Sequence, residues 1–186
     1  MKRILLFMVL TVIMVAACNE NNNGNKKAES STKKEAYKEL SKEELLAEIK
    51  YYEKDLFENS NGKINRSKAL KLASDYQQYA GRFPDDSLSP EFLFKAADIS
   101  MNMNVPKQTV AIFTKIINKY PDFDKLETCY FLRAFVYDDQ LKEYRIAETY
   151  YKEFLQKYPN SDFADDAEML MKNLGKSPEE FIEGLK

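Results

Sequence analysis

The chain has 186 residues, a formal charge of −2, 31% charged and 44% apolar residues, and neither His nor Trp. That length holds one or at most two domains, and the missing His excludes Ser-His-Asp and Cys-His mechanisms and every His-containing metal site. Five scattered glycines leave no Gly-rich phosphate loop, and low Gly and Pro beside abundant Lys, Glu, Leu, Ala and Tyr favours helix over strand.

The first segment sets a compartment. Lys2 and Arg3 precede an almost wholly apolar run over residues 4–17, broken only by Thr11 and ending Val15-Ala16-Ala17-Cys18. A run of that length falls short of the roughly 20 residues of a membrane span. A charged start, a short apolar stretch and small residues before a cut describe a secretory signal over residues 1–17. The Cys at the cut makes the pattern resemble a bacterial lipobox, which implies that Cys18 is acylated and becomes the first residue of the mature chain. An ordinary signal with a chance Cys, or a short anchor helix, is the plainer alternative. Asn19, rather than Asp, follows the Cys; in Gram-negative lipoproteins this implies the outer membrane.

Loss of residues 1–17 removes Lys2, Arg3 and no acid, so the formal charge moves from −2 to −4. A mildly acidic chain carries no general nucleic-acid footprint, and acyl chains rather than a basic patch would hold it to the membrane. Residues 18–36 are polar, with Asn21-Asn22-Asn23-Gly24-Asn25, paired lysines and Ser30-Ser31-Thr32. They lack apolar periodicity and read as a disordered tether, reaching about 25 Å by coil scaling.

Residues 37–186 read as one helical-repeat domain. Phe83-Pro84, Tyr120-Pro121 and Tyr158-Pro159 fall 37 and 38 residues apart. Each closes an amphipathic stripe: Leu72, Tyr76, Tyr79, Ala80 and Phe83; Thr109, Phe113, Ile116, Ile117 and Tyr120; Ala147, Tyr151, Phe154, Leu155 and Tyr158. Spacings of 3, 4 and 7 make one helix face, and Pro ends the helix by lacking an amide hydrogen and restricting the residue before it. Asp85, Asp122 and Asn160 follow as turn residues. Ser89-Pro90 reads as an N-cap and first helical residue. Ser41 with Glu44, Asp124 with Glu127, and Ser177 with Glu180 read as capping boxes, and Gly175 as a left-handed helix stop. The expected helices are 41–58, 66–83, 90–103, 106–120, 124–139, 142–158, 162–174 and 178–185, with one longer loop over residues 59–65. Antiparallel pairs of such helices stack as an all-α solenoid, and the aromatic stripes read mostly as its core.

Ala147-x-x-x-Tyr151-x-x-Phe154-x-x-x-Tyr158-Pro159-x-Ser161 resembles the second helix of a tetratricopeptide repeat, in the variant found in bacterial envelope lipoproteins such as that of the Bam complex, which assembles outer-membrane proteins. Leu93, Ala96 and Ala97, then Tyr130, Ala134 and Tyr137, match the first-helix signature. The segment 131–137, with Ala164-Asp165-Asp166-Ala167 and the stretch 173–178, is similar to small single-domain repeat lipoproteins of Gram-negative bacteria. The resemblance spans about residues 66–180. Thr109 stands where the family prefers Ala, Ser100 where an aromatic is usual, and the helix at 41–58 carries no clear signature.

The resemblance implies a concave face on the first helix of each pair, pointing Glu91, Phe94, Asp98, Met101, Asn102, Thr128, Phe131, Phe135 and Asp138 towards a partner. Phe94, Met101, Phe131 and Phe135, edged by Asp98 and Asp138, would form an apolar groove for a helix or extended peptide. The alternative is that a short array buries these side chains against the helix at 41–58. Cys129, alone once Cys18 is lipidated, reads as a small buried hydrophobe, with Lys125 and Arg133 the only local cations able to activate it. Acid pairs at 85–86, 138–139 and 165–166 sit at turns or helix ends, where carboxylates favour the dipole, and none matches a calcium loop. Asp86-Ser87-Leu88 resembles a bacterial O-glycosylation acceptor, and Asn65-Arg66-Ser67 is an N-linked sequon on paper. The expectation is a non-enzymatic lipoprotein adaptor with no cofactor or metal, held to the membrane by lipid and binding a protein or peptide. A Bam-like assembly subunit and a cell-wall-associated spacer are the alternatives.

Overall fold

Among the described residues the chain forms seven α-helices and no strand: α1 (Lys42–Phe57), α2 (Arg66–Arg82), α3 (Ser89–Asn102), α4 (Pro106–Lys119), α5 (Leu126–Asp139), α6 (Tyr144–Lys157) and α7 (Ala164–Lys172). The computed structural model describes residues 39–58, 64–177 and 180. These lie within one compact unit, Glu39–Lys186. The expected signal, Cys18, the tether, loop positions 59–63 and all of the helix at 178–185 except Glu180 lie outside the described residues.

The substantial helix contacts all join sequence neighbours, from α1 on α2 through to α6 on α7. This is the nearest-neighbour packing of a solenoid, and the architecture is the all-α stack of antiparallel pairs that the periodicity calls for. The three stripes supply it. Leu72, Tyr76, Tyr79 and Ala80 on α2, Thr109, Phe113 and Ile116 on α4, and Ala147, Tyr151 and Phe154 on α6 are all buried. Each stripe ends in the same way. Phe83, Tyr120 and Tyr158 leave the helix at φ −125 to −130° and ψ near +60°, each still donating its N–H to the carbonyl four residues back. The following Pro forbids these residues the helical region.

Two apolar clusters fill the interior. The larger joins α1 to α5 through residues such as Leu45, Ile49, Leu72, Tyr76, Leu93, Phe113 and Ile116. The smaller joins α5, α6 and α7 through Tyr130, Phe131, Ala134, Ala147, Tyr151, Phe154 and Ala167. Helix α5 serves both, giving Cys129 and Val136 to the first and Phe131 and Ala134 to the second. The departures from the repeat pattern are accommodated by hydrogen bonds. Ser100 Oγ donates to Ala96 O at 2.7 Å and Thr109 Oγ1 to Val105 O at 3.0 Å, so neither buried hydroxyl is unsatisfied.

The caps divide into those the sequence placed correctly and those it did not. The box of Ser41 and Glu44 is formed in both directions, and so is the exchange between Ser177 and Glu180. Gly175 takes φ +74°. Asp124 makes no cap: α5 starts two residues later than expected, behind Lys125, with no side-chain cap bond. Ser89 is already helical behind Leu88, and its hydroxyl donates to Phe83 O at 2.5 Å across the turn. Lys142 adopts φ +56°, so α6 starts at Tyr144 rather than at 142. Ser161 Oγ accepts from Phe163 N at 3.1 Å, which holds a turn over residues expected to begin α7.

Helix α1, without a repeat signature, is tied on by charge. Arg82 Nη1 donates to Leu40 O at 2.6 Å and its Nε pairs with Glu39 at 2.9 Å. Lys42 pairs with Asp86, Lys68 with Asp55 and Lys71 with Glu48.

Candidate functional site

The expected groove residues occupy two different packing groups. Phe94 is half-buried and edge-on to Phe113 at 6.3 Å, with Phe123 at 6.1 Å and the Lys125 ammonium 4.9 Å from its centroid. Phe131 is 8% exposed, stacked on Phe163 at 4.9 Å and tilted on Phe154 at 5.6 Å. Phe135 is half-buried and stacks on Phe131 at 6.5 Å. Both Phe94 and Phe131 thus meet rings on the second helix of their own pair, and Phe94 also packs against the larger cluster, to which α1 contributes. Met101 packs against the larger cluster, and its carbonyl accepts from Gln140 Nε2 at 3.0 Å. Asp98 is exposed and accepts from Asn102 at 3.1 Å.

Asp138 is half-buried and accepts from Tyr151 Oη at a long 3.4 Å. Burial pushes its carboxyl above the ordinary range, outweighing the Lys142 ammonium and the Tyr151 hydroxyl. It lines a cleft of about 370 Å³ between the end of α5, the start of α6 and the end of α7, whose wall includes Tyr144, Met169 and Lys176. Tyr144 and Met169 are 38% and 43% exposed, so the cleft has an apolar lip.

Charge stitches the first helices of successive pairs together. Lys95 on α3 reaches Glu53 on α1 at 2.8 Å, and Lys125 donates to both oxygens of Glu91 at 2.8 and 2.7 Å. Tyr76 Oη joins the first pair by donating to Glu53 at 2.6 Å. Glu127 accepts from Ser161. The third pair, α5 with α6, is held differently. Arg133, 4% exposed, donates to Glu153 at 2.7 Å and lies 3.9 Å from the Tyr150 ring centroid. A cation buried so deeply needs such partners, and no sequence signal separates it from an exposed helix Arg.

Cys129 is fully buried, and burial raises its thiol to about 12 despite the opposing fields of Lys125 and Arg133. It behaves as core. Among the described residues no three His, Cys, Asp or Glu side chains converge as a metal site. No helix there is long and apolar enough to cross a membrane.

Sequence reasoning missed the side chains at the turns. Asp86 accepts from Leu88 N at 2.9 Å and pairs with Lys42, and Asn65 caps α2 by accepting from Lys68 N at 3.1 Å. Tyr120 Oη donates to Pro84 O at 3.0 Å, bridging successive turns. The Asx pattern at Asp86 was available as a signal; the long-range partners were not. A comparison with curated proteins found no match. Residues 91–122 and 128–161 each match the tetratricopeptide repeat family. The two stretches cover α3–α4 and α5–α6, so the helical pairs at the centre of this chain are tetratricopeptide-like repeats.

Proposed function

We propose that this chain is a lipid-anchored adaptor of a bacterial cell envelope, placed at the outer membrane, whose helical domain captures a protein partner without catalysing a reaction. The observation that carries the reading is the stack of helical pairs containing two matched tetratricopeptide repeats. Such stacks present extended surfaces for other proteins. The anchor is supported by Lys2 and Arg3, the apolar run over residues 4–17 and Cys18 behind Ala16-Ala17. The polar stretch 18–36 gives standoff from the lipid.

On this reading the partner meets the first helices of the pairs around Phe135, Met101, Asp98 and Asp138, while Phe94 and Phe131 support that face from beneath. A photo-reactive residue at Asp98, which is exposed and bonds to Asn102 on its own helix, tests capture in cells. A discrete cross-linked product identified by mass spectrometry is expected. Absence of any product from a folded, correctly located protein refutes the adaptor reading. Phe135→Ala should weaken capture while leaving the far-UV spectrum unchanged. Cys18→Ala should release the protein from the membrane fraction, and persistence there refutes the lipid anchor.

A further inference from the structure

Two adjoining hollows of about 560 and 570 Å³ lie between the α2–α3 turn and the α4–α5 turn, sharing Ser87, Pro90, Lys119 and Tyr120. Together they make one trough. Tyr120 runs through it as a fixed floor, because its hydroxyl is committed to Pro84 O at 3.0 Å. Pro84, Pro121 and Phe123 extend the apolar lining.

The rim has an excess of one sign. Asp85, Asp122 and Asp124 are exposed, and none forms an ion pair or hydrogen bond among the described residues. They are not used as caps: α5 starts behind Lys125 with no side-chain bond, and at the earlier turn it is Asp86, not Asp85, that accepts from Leu88 N. The other two acids of the lining are already neutralised, Asp86 by Lys42 and Glu91 by Lys125. Lys119 is the single unpaired cation on the lining. Three free carboxylates thus face one free ammonium over an aromatic and proline floor. The cleft beside Asp138 differs, since Lys142 and Lys176 line it with that acid.

From this we infer that the trough is the docking site for a cationic, Lys- or Arg-bearing segment of the adaptor's protein partner. The inference rests on the adaptor reading and adds to it a place and a chemistry. A Lys or Arg side chain lays its methylene stem on an apolar surface and keeps its charge at the edge. Here the stem lies along Tyr120 and the prolines, where the ring face also attracts the cation, and the charged end meets Asp85 and Asp122. The trough opens at the turns, beside the N-terminal end of α3, where Glu91 lines it seven residues before Asp98.

The test uses the full-length chain in detergent and three fluorescent probes: a short peptide alternating Lys and Ala, the same peptide with Glu for Lys, and soluble peptidoglycan fragments. Binding is read by anisotropy at low and physiological salt. The Lys peptide should bind, more weakly as salt rises, and the Glu peptide should not. Asp85→Asn/Asp122→Asn/Asp124→Asn, which alters charge and no packing, should weaken binding about tenfold. Asp162→Asn/Asp165→Asn/Asp166→Asn, the same charge change at the start of α7, should leave it unchanged. Equal loss in the two triple variants, no loss in the first, or binding of the saccharide fragments in place of the Lys peptide overturns the inference. If it fails while the Asp98 cross-link still captures a partner, the adaptor reading stands alone; if both fail, that reading falls too.

Discussion

Tyr76→Phe isolates the bond that joins three helices. Tyr76 is 1% exposed on α2, and its hydroxyl donates at 2.6 Å to Glu53 on α1, which also accepts from Lys95 on α3 at 2.8 Å. Phe fills the same volume, so no cavity term enters. A bond to a charged acceptor contributes about 1.5–3 kcal/mol. Glu53 keeps Lys95 after the substitution and is partly in water, which places the expected loss at about 1–2 kcal/mol. For a domain of this size that lowers Tm by roughly 3–6 °C. Urea denaturation followed by circular dichroism at pH 7 measures it as a lower midpoint at unchanged m-value. The loss should also depend on pH. Burial raises the Glu53 carboxyl, but the hydrogen bonds from Lys95 and Tyr76 outweigh it and hold the group below its ordinary 4.5. A carboxylate with a depressed folded pKa stabilises above its unfolded value and loses that contribution as pH falls through the folded one. The deficit of the variant should therefore be full at pH 7 and narrow in acid. In a Glu53→Gln background the same substitution should cost less, since the partner is gone. A loss below about 0.5 kcal/mol, or one that does not change between pH 7 and acid, refutes the assignment of this bond.

Gly175→Ala should destabilise by about 1–2 kcal/mol in a thermal melt, because φ is +74° and the new Cβ meets Tyr144 ring atoms at 3.3 Å; an unchanged Tm argues against that turn. The Cys129 thiol, raised to about 12 by burial, should resist Ellman's reagent in the native protein at pH 8 and react once urea unfolds it, whereas rapid native labelling contradicts the packing. Hydrogen bonds from Lys42 and the Leu88 amide hold Asp86 below its ordinary 3.8, so Asp86→Asn should lower Tm at pH 7. That difference should vanish as pH drops below 3.8 and the wild-type carboxyl protonates. Phe154→Ala removes a fully buried ring 5.6 Å from Phe131 and should cost about 3–5 kcal/mol. Hydrogen exchange should rise first in α6 and α7, and uniform acceleration through α2 and α3 would show that the array opens as one unit.

The helices were legible because the signals were local. Aromatic stripes at 3, 4 and 7, closed by Phe83-Pro84, Tyr120-Pro121 and Tyr158-Pro159, gave α2 and α4 within one residue at each end and the C-terminal end of α6 within one. The errors lie where backbone geometry overrides a cap motif. Asp124 and Glu127 have the spacing of a box, yet the chain turns through Lys125. The left-handed Lys142 is not a residue type that announces itself, and it shortens α6. The candidate surface was less legible for a different reason. Helical periodicity says which residues share a face, not which neighbouring helix covers it. Phe94 and Phe131 share a stripe position in successive repeats, and the structure turns Phe94 onto Phe113 and Phe131 onto Phe154 and Phe163. The burial of Arg133 and the reach of Tyr120 to Pro84 depend on partners 20 and 36 residues away, which no motif encodes.

The two clefts stand on different supports, and this shapes how the domain responds to change. The trough around Tyr120 is built from turns that follow α2 and α4, helices whose stripes belong to the larger cluster. The cleft beside Asp138 is built from the ends of α5 and α7 and the start of α6, whose buried contacts are those of the smaller one. Among the described residues only α5 contributes buried side chains to both, with Cys129 and Val136 on one side and Phe131 and Ala134 on the other. In an array held by nearest-neighbour contacts, the free energy of one interface reaches another only through the helix they share. Strain at the Asp138 cleft must therefore cross α5 before it alters the trough. The crossing is stiff: Arg133 ties α5 to Glu153 on α6, and Lys125 ties the residue before α5 to Glu91 on α3. A partner that engages one cleft thus meets a surface already set by its own cluster, which favours binding with little rearrangement over binding coupled to folding.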